Sequence, residues 1–177
     1  MIYSLMSHGK QTKHDIGGLI MERTSLSLKL TVITIGILGA IFFFGALPFV
    51  GKWIAELAPE FARAYYPWLI LFWITAVPCY MALVLLWRII KSIDKDELFR
   101  NVNAARLRTV ARLAFADTII FMVANIVYGF LNINHPSIFL TSAFVCIIGV
   151  AFGICMKALA AFFDKAAALQ EENDLTI

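Results

Sequence analysis

Four apolar blocks separated by short polar connections constrain this chain more than any other feature. They run from about Leu30 to Val50, Trp68 to Ile90, Leu113 to Leu131 and Ile138 to Phe163. Each is close to the roughly 20 residues that an α-helix needs to cross a hydrocarbon core about 30 Å thick. A soluble fold needs a polar surface, and 15% charged residues against 61% hydrophobic ones cannot build it. Inside a bilayer every backbone N–H and C=O must be satisfied within the protein, so each block is expected to be helical. The expected fold is all-α, a polytopic membrane protein with a four-transmembrane-helix bundle. Residues 29–177 form the membrane domain, with a loop at 91–112 and a tail at 164–177, and residues 1–28 form a polar N-terminal segment.

Orientation follows from the basic residues, because positively charged loops resist transfer across an energised membrane. Lys10, Lys13, Arg23 and Lys29 precede the first block. Arg88, Lys91, Lys95, Arg100, Arg106, Arg108 and Arg112 lie between the second and third. The connection from Gly51 to Pro67 carries Lys52 and Arg63 against Glu56 and Glu60, and Asn132 to Ser137 carries no charge. Both termini and the 91–112 loop are therefore expected in the cytoplasm, with the protein in a bacterial inner membrane. Trp53, Tyr65, Tyr66, Trp68 and Tyr128 fall where an outer interfacial belt should lie.

The first block is too long for the apolar core of a cleavable signal, and Gly45-Ala46-Leu47-Pro48 lacks the A-x-A pattern. Ahead of it, Gly17-Gly18 stands just before Met21, as a translated ribosome-binding site would, so synthesis starting at Met21 is one reading and a genuine polar tail the other. Cys79, Cys146 and Cys155 lie inside apolar blocks without C-x-x-C spacing, and no metal or cofactor site is expected. No nucleophile elbow, H-E-x-x-H, Walker A or pair of catalytic carboxylates is present, so no reaction is expected of the chain.

The 91–112 loop is the most informative polar stretch. Asp94, Asp96 and Glu97 come first, and Leu98, Val102, Leu107 and Val110 recur at roughly helical spacing, so a helix should start before the bilayer and run into the third span. Its arginines can be read as topology alone, or as a docking surface for a protein or for anionic lipid. Asp117 is the acid within a span. Placed about one turn beyond Arg112, it reads as shallow, and a buried pair with Lys157 or Arg88 is expected, so that Asp117→Asn should lower stability. Gly149 and Gly153 form G-x-x-x-G, and Gly36 and Ala40 repeat the spacing, which marks close helix packing within one chain or across a homo-oligomer. Pro78 should bend the second span, with Thr75 able to re-satisfy backbone nearby. The tail ends in Glu171, Glu172, Asn173 and Asp174, acids that oppose a helix dipole there and so are not placed for helix stability.

Two segments resemble a known family. They are Asp96-Glu97-Leu98-Phe99-Arg100-Asn101-Val102 followed by Arg106-Leu107-Arg108, and the terminal Glu171-Glu172-Asn173-Asp174-Leu175-Thr176-Ile177. Together they resemble an uncharacterised bacterial family of small four-span membrane proteins, a domain-of-unknown-function family often encoded beside a small Cro-type helix-turn-helix regulator. The likeness spans roughly Ser27 to Ile177. The family commonly has a proline before the phenylalanine, where this chain has Leu98.

The expectation is a non-enzymatic membrane protein in contact with lipid. Asp96, Glu97, Phe99, Asn101, Arg106, Arg108, Glu171, Glu172, Asn173 and Asp174 would form a surface for a cytoplasmic protein, and the resemblance suggests a helix-turn-helix regulator. No direct contact with nucleic acid is expected. The alternative is a subunit of a small transporter or channel, which needs a polar path that Asp117, Asn125 and Thr75 are too scattered to draw.

Overall fold

The computed structural model describes residues 22–94, 97–98 and 100–174, and the Met21 start lies outside them. Among these residues the chain forms four long helices: α1 (Glu22–Leu57), α2 (Ala62–Ile93), α3 (Asn101–Phe130) and α4 (Pro136–Asp174). Each is long and apolar enough to cross a membrane. The protein is a four-helix membrane bundle, as the apolar blocks require. The helices outrun those blocks. α1 continues through Lys52 and Glu56, and only Ala58 and a 3₁₀ turn at Pro59–Phe61 separate it from α2. The third helix begins at Asn101, ahead of its apolar block, as the loop pattern implied.

Consecutive helices pack antiparallel, most extensively α3 against α4, then α2 against α3. Glycine explains the first pairing. A Cβ at Gly149 would collide with the Thr118 hydroxyl, and one at Gly153 would stand 2.8 Å from the Phe115 ring. The G-x-x-x-G therefore serves packing within this chain, where small residues let backbones approach without help from a hydrophobic effect. Gly36, by contrast, has nothing within 4 Å of its Cβ position. The Ile41–Leu57 half of α1 packs on α2 and does not approach α4. Along this half the row of helices thus stays open between its first and last members.

Within α1, Ile41–Ala46 is π-helical, the Leu47 N–H reaching back to the Phe42 carbonyl. Pro48 contributes no N–H to the carbonyls behind it. The Trp73 indole supplies one instead, donating to the Phe43 carbonyl at 3.2 Å. α2 runs without interruption across Pro67 and Pro78. Thr75 donates to the Phe72 carbonyl at 3.1 Å, not to Ile74, whose carbonyl Pro78 leaves without its helix partner.

The two ends of the bundle differ. At the end carrying Glu22, Ile93, Asn101 and Asp174, here the basic end, Ile89, Leu107 and Ala160 form a buried core closed by Leu86, Leu98, Met156 and Phe163. At the opposite end, Trp68 packs on Phe72, Phe121 and Tyr128 with ring centroids 5.4–6.4 Å apart. The Tyr128 hydroxyl donates to the Pro67 carbonyl at 2.8 Å. Of the five aromatics expected in a belt, Trp68 and Tyr128 thus join helices to one another, while Trp53 and Tyr66 are exposed.

Candidate functional site

The basic end is organised by Asn103, a residue without a role in the sequence reading. Its side chain is 1% exposed, and its amide donates to Ser92 Oγ at 2.6 Å and to the carbonyls of Glu97 at 3.1 Å and Leu98 at 2.9 Å. Its own oxygen accepts from Arg106 at 2.8 Å, and Arg106 also reaches the Arg88 carbonyl at 3.3 Å. One buried amide therefore ties the end of α2, the 94–100 connection and the first turn of α3 together. The signal was present in the sequence, since Asn103, Leu107 and Val110 follow i, i+4, i+7 and are the buried face, whereas Val102 is 55% exposed.

A second fastening joins α1 to α2. Ser25, 2% exposed, donates to Asp94 at 2.5 Å, and Lys29, one turn on, forms an ion pair with the same carboxylate at 2.6 Å. Those two donors, Lys29 foremost, hold the Asp94 carboxyl below its ordinary value of 3.8. Glu97 pairs with Arg100 at 2.9 Å, and Arg108 with Asp164 of α4 at 2.5 Å. The last contact aligns the extension of α4 with the start of α3. Asn101, Glu171 and Glu172 are exposed on helix ends at this end of the bundle. Asp96 and Phe99, and the side chains of Asn173 and Asp174, lie outside the described residues.

Asp117 is not where the sequence put it. It faces Cys79, whose thiol donates to Oδ2 at 3.7 Å, and its neighbour Thr118 lies against Gly149. Cys79 and Gly149 are near the middles of the second and fourth apolar blocks, so Asp117 is central in the bundle. Arg88 lies nine residues beyond Cys79, and Lys157 eight beyond Gly149, which puts them about 13 and 12 Å further along the helices. Neither forms an ion pair with Asp117. Oδ1 is shut off from solvent and has no hydrogen-bond partner among the described residues. The expected pair is therefore replaced by a carboxyl group without an ion-pair partner among the described residues.

Asp117 lines a cavity of about 770 Å³ bounded by all four helices, with Phe42 and Phe43 of the π-helical segment on one wall and Ile148 and Phe152 of α4 on another. A second cavity of about 390 Å³ continues it toward the aromatic end, and the two share Phe42, Trp68, Phe72 and Ile138. Together they follow the opening between α1 and α4. Among the described residues no group of His, Cys, Asp and Glu could hold a metal ion. His135 accepts the Ser137 N–H at 3.3 Å, which caps the start of α4.

Comparison with known proteins agrees with this architecture. Residues 49–177 match the family described as "Protein of unknown function (DUF2975)". A relative from Bacillus subtilis (strain 168), described as "Uncharacterized membrane protein YoaS", is 26% identical over 159 residues, covering 89% of this chain and 98% of the relative. No solved structure matches the chain. A four-span bundle whose matched region takes in the basic loop, the Asp117 helix and the acidic tail thus belongs to the DUF2975 family of membrane proteins.

Proposed function

We propose that this protein is a non-enzymatic membrane partner for a cytoplasmic protein, which docks on the basic end of the bundle. The observation that carries the reading is the Asn103 network. Topology needs only positive charge in a loop, and a mobile loop serves that purpose as well as a fixed one. Here a buried amide, the Ser25–Lys29–Asp94 contact and the Arg108–Asp164 pair hold three connections in one arrangement. Around them Asn101, Val102, Glu171 and Glu172 are exposed, and Arg112 and Lys157 form no ion pair among the described residues. A preorganised surface of mixed charge suits a folded partner, because little order has to be gained on docking. The sequence resemblance suggests a small helix-turn-helix transcription regulator as that partner.

The reading requires the basic end to be cytoplasmic. Reporter fusions at Asn103 and Ile177 should behave as cytoplasmic, and those at Ala58 and His135 as external; an external signal from Asn103 overturns it. Binding is tested by recovering the neighbouring regulator from membranes with the intact protein and with Glu171–Ile177 deleted. The deletion should leave insertion and thermal stability nearly unchanged and abolish recovery. Equal recovery with and without the tail counts against this surface.

A further inference from the structure

The 770 Å³ cavity has a composition that the docking reading does not use. Its walls are largely apolar, with the rings of Phe42, Phe43, Trp68, Phe72, Phe121 and Phe152 among them, and they hold one carboxylate, Asp117. Thr75, Thr118 and Thr141 also line it, but their hydroxyls donate to the carbonyls of Phe72, Ala114 and Ser137 in their own helices. Among the described residues the carboxylate receives only the weak Cys79 thiol, and Oδ1 receives nothing. The four apolar blocks contain no lysine other than Lys157, eight residues from the Asp117 level, and no arginine other than Arg88, nine residues away.

A carboxylate in an apolar surrounding requires a proton or a cation. A proton would satisfy the charge and leave the aromatic volume without a purpose. The volume lies within the range of small-molecule sites, and aromatic faces attract desolvated cations. The π-helical segment that carries Phe42 and Phe43 into the wall belongs to a class of distortion frequent at functional sites. We infer that the cavity is a binding site for a lipophilic ammonium compound that enters from the bilayer, with Asp117 as counter-charge and hydrogen-bond acceptor and the rings as the bed for its apolar body. Entry is between α1 and α4, where the Ile41–Leu57 half of α1 makes no approach to α4.

The test uses the full chain in phosphatidylcholine nanodiscs, titrated with dansylcadaverine, a primary ammonium whose fluorescence reports a nonpolar surrounding. Its uncharged counterpart, N-pentyl dansylamide, is titrated in parallel, and empty nanodiscs give the partition background. Saturable dansylcadaverine binding above background is expected, about tenfold weaker or worse for Asp117→Asn. The pentyl compound should bind correspondingly weakly to the native protein. Val145→Trp, which narrows the cavity and keeps the carboxylate, should also weaken binding, so the result does not rest on one variant. The inference is overturned by equal binding to native protein and Asp117→Asn, or by equal binding of the charged and uncharged probes. Absence of saturable binding overturns it too, including the case in which a second copy fills the cavity and the protein is dimeric. Recovery of a cytoplasmic partner is a separate readout, so failure here leaves the docking test standing.

Discussion

Asn103 and Asp117 stand on the same helix about 20 Å apart, and their surroundings differ in kind. Asn103 donates to three acceptors and accepts from Arg106, with every contact supplied by neighbouring segments of the chain. Asp117 has one weak donor and a large cavity. Buried polar groups stabilise a fold only when their hydrogen bonds are complete, and an incomplete one is a cost tolerated for some other reason. The contrast separates a region built for fixity from one built around an incomplete contact.

The largest expected effect tests the first half of that contrast. Asn103→Leu deletes the amide and strands the Glu97 and Leu98 carbonyls, and Asn103→Asp does much the same because a carboxylate cannot donate. Each should lower the free energy of unfolding in mixed micelles by roughly 2–4 kcal/mol, from several lost or orphaned hydrogen bonds. A change within about 0.5 kcal/mol would remove the basis for a rigid basic end.

Next in size is the α3–α4 seam. Gly153→Leu must displace the Phe115 ring and should cost about 1–3 kcal/mol. Gly36→Ala meets open space and gains helix propensity, so its stability should equal or exceed that of the native protein. Similar losses at both positions would show that Gly36 is closely packed as well.

Asp117→Asn sharpens the other half. The lost pair expected from the sequence predicted destabilisation, whereas a carboxylate without a basic neighbour predicts none. The thermal midpoint in detergent should stay level or rise, and a clear fall would point to a partner that the geometry lacks.

The smallest effect is a pH dependence at Asp94. Its carboxyl is held low by Lys29 and Ser25, so the contribution is fully present above the ordinary value of 3.8 and fades as pH falls through the lower folded-state value. The thermal midpoint should therefore decline in acid more steeply for the native protein than for Asp94→Asn. Parallel acid profiles would show that the α1–α2 fastening contributes nothing.

The helices, their order and the early start of α3 were legible because apolar length and basic loops act locally along the chain. The depth of Asp117 was not. Arg112 stands only five residues before it, and that proximity suggests a shallow site. The true level is set by Gly149 and Gly153 sliding α4 against Thr118 and Phe115, a register that spacing within α3 cannot contain. The Asn103 network was half-legible, since its i, i+4, i+7 pattern with Leu107 and Val110 was on view but an amide does not register in an apolar periodicity. The π-helical segment had a cue in Pro48, yet its capture by Trp73 depends on α2 lying alongside. For the tail, the sequence placed Arg108 on one surface with Glu171 and Glu172, and the Arg108 partner seen in the structure, Asp164, lies about two turns before them and was not singled out.

The uneven packing of the helices also sets an order of assembly. During synthesis α1 and α2 enter the bilayer first, yet the most extensive pairing, α3 with α4, waits for the last of the four helices. Ser25, Lys29 and Asp94 can close as soon as α2 is complete, fastening the open end of the early hairpin, while Tyr65 and Trp73 hold the half nearer its turn through the Pro48 and Phe43 carbonyls. The glycine seam then forms between neighbours in sequence, at a small loop-closure cost, and Thr118 and Phe115 bring α3 into register. Closure of the α3–α4 seam, rather than any rearrangement of the earlier hairpin, becomes the step that completes the four-helix bundle.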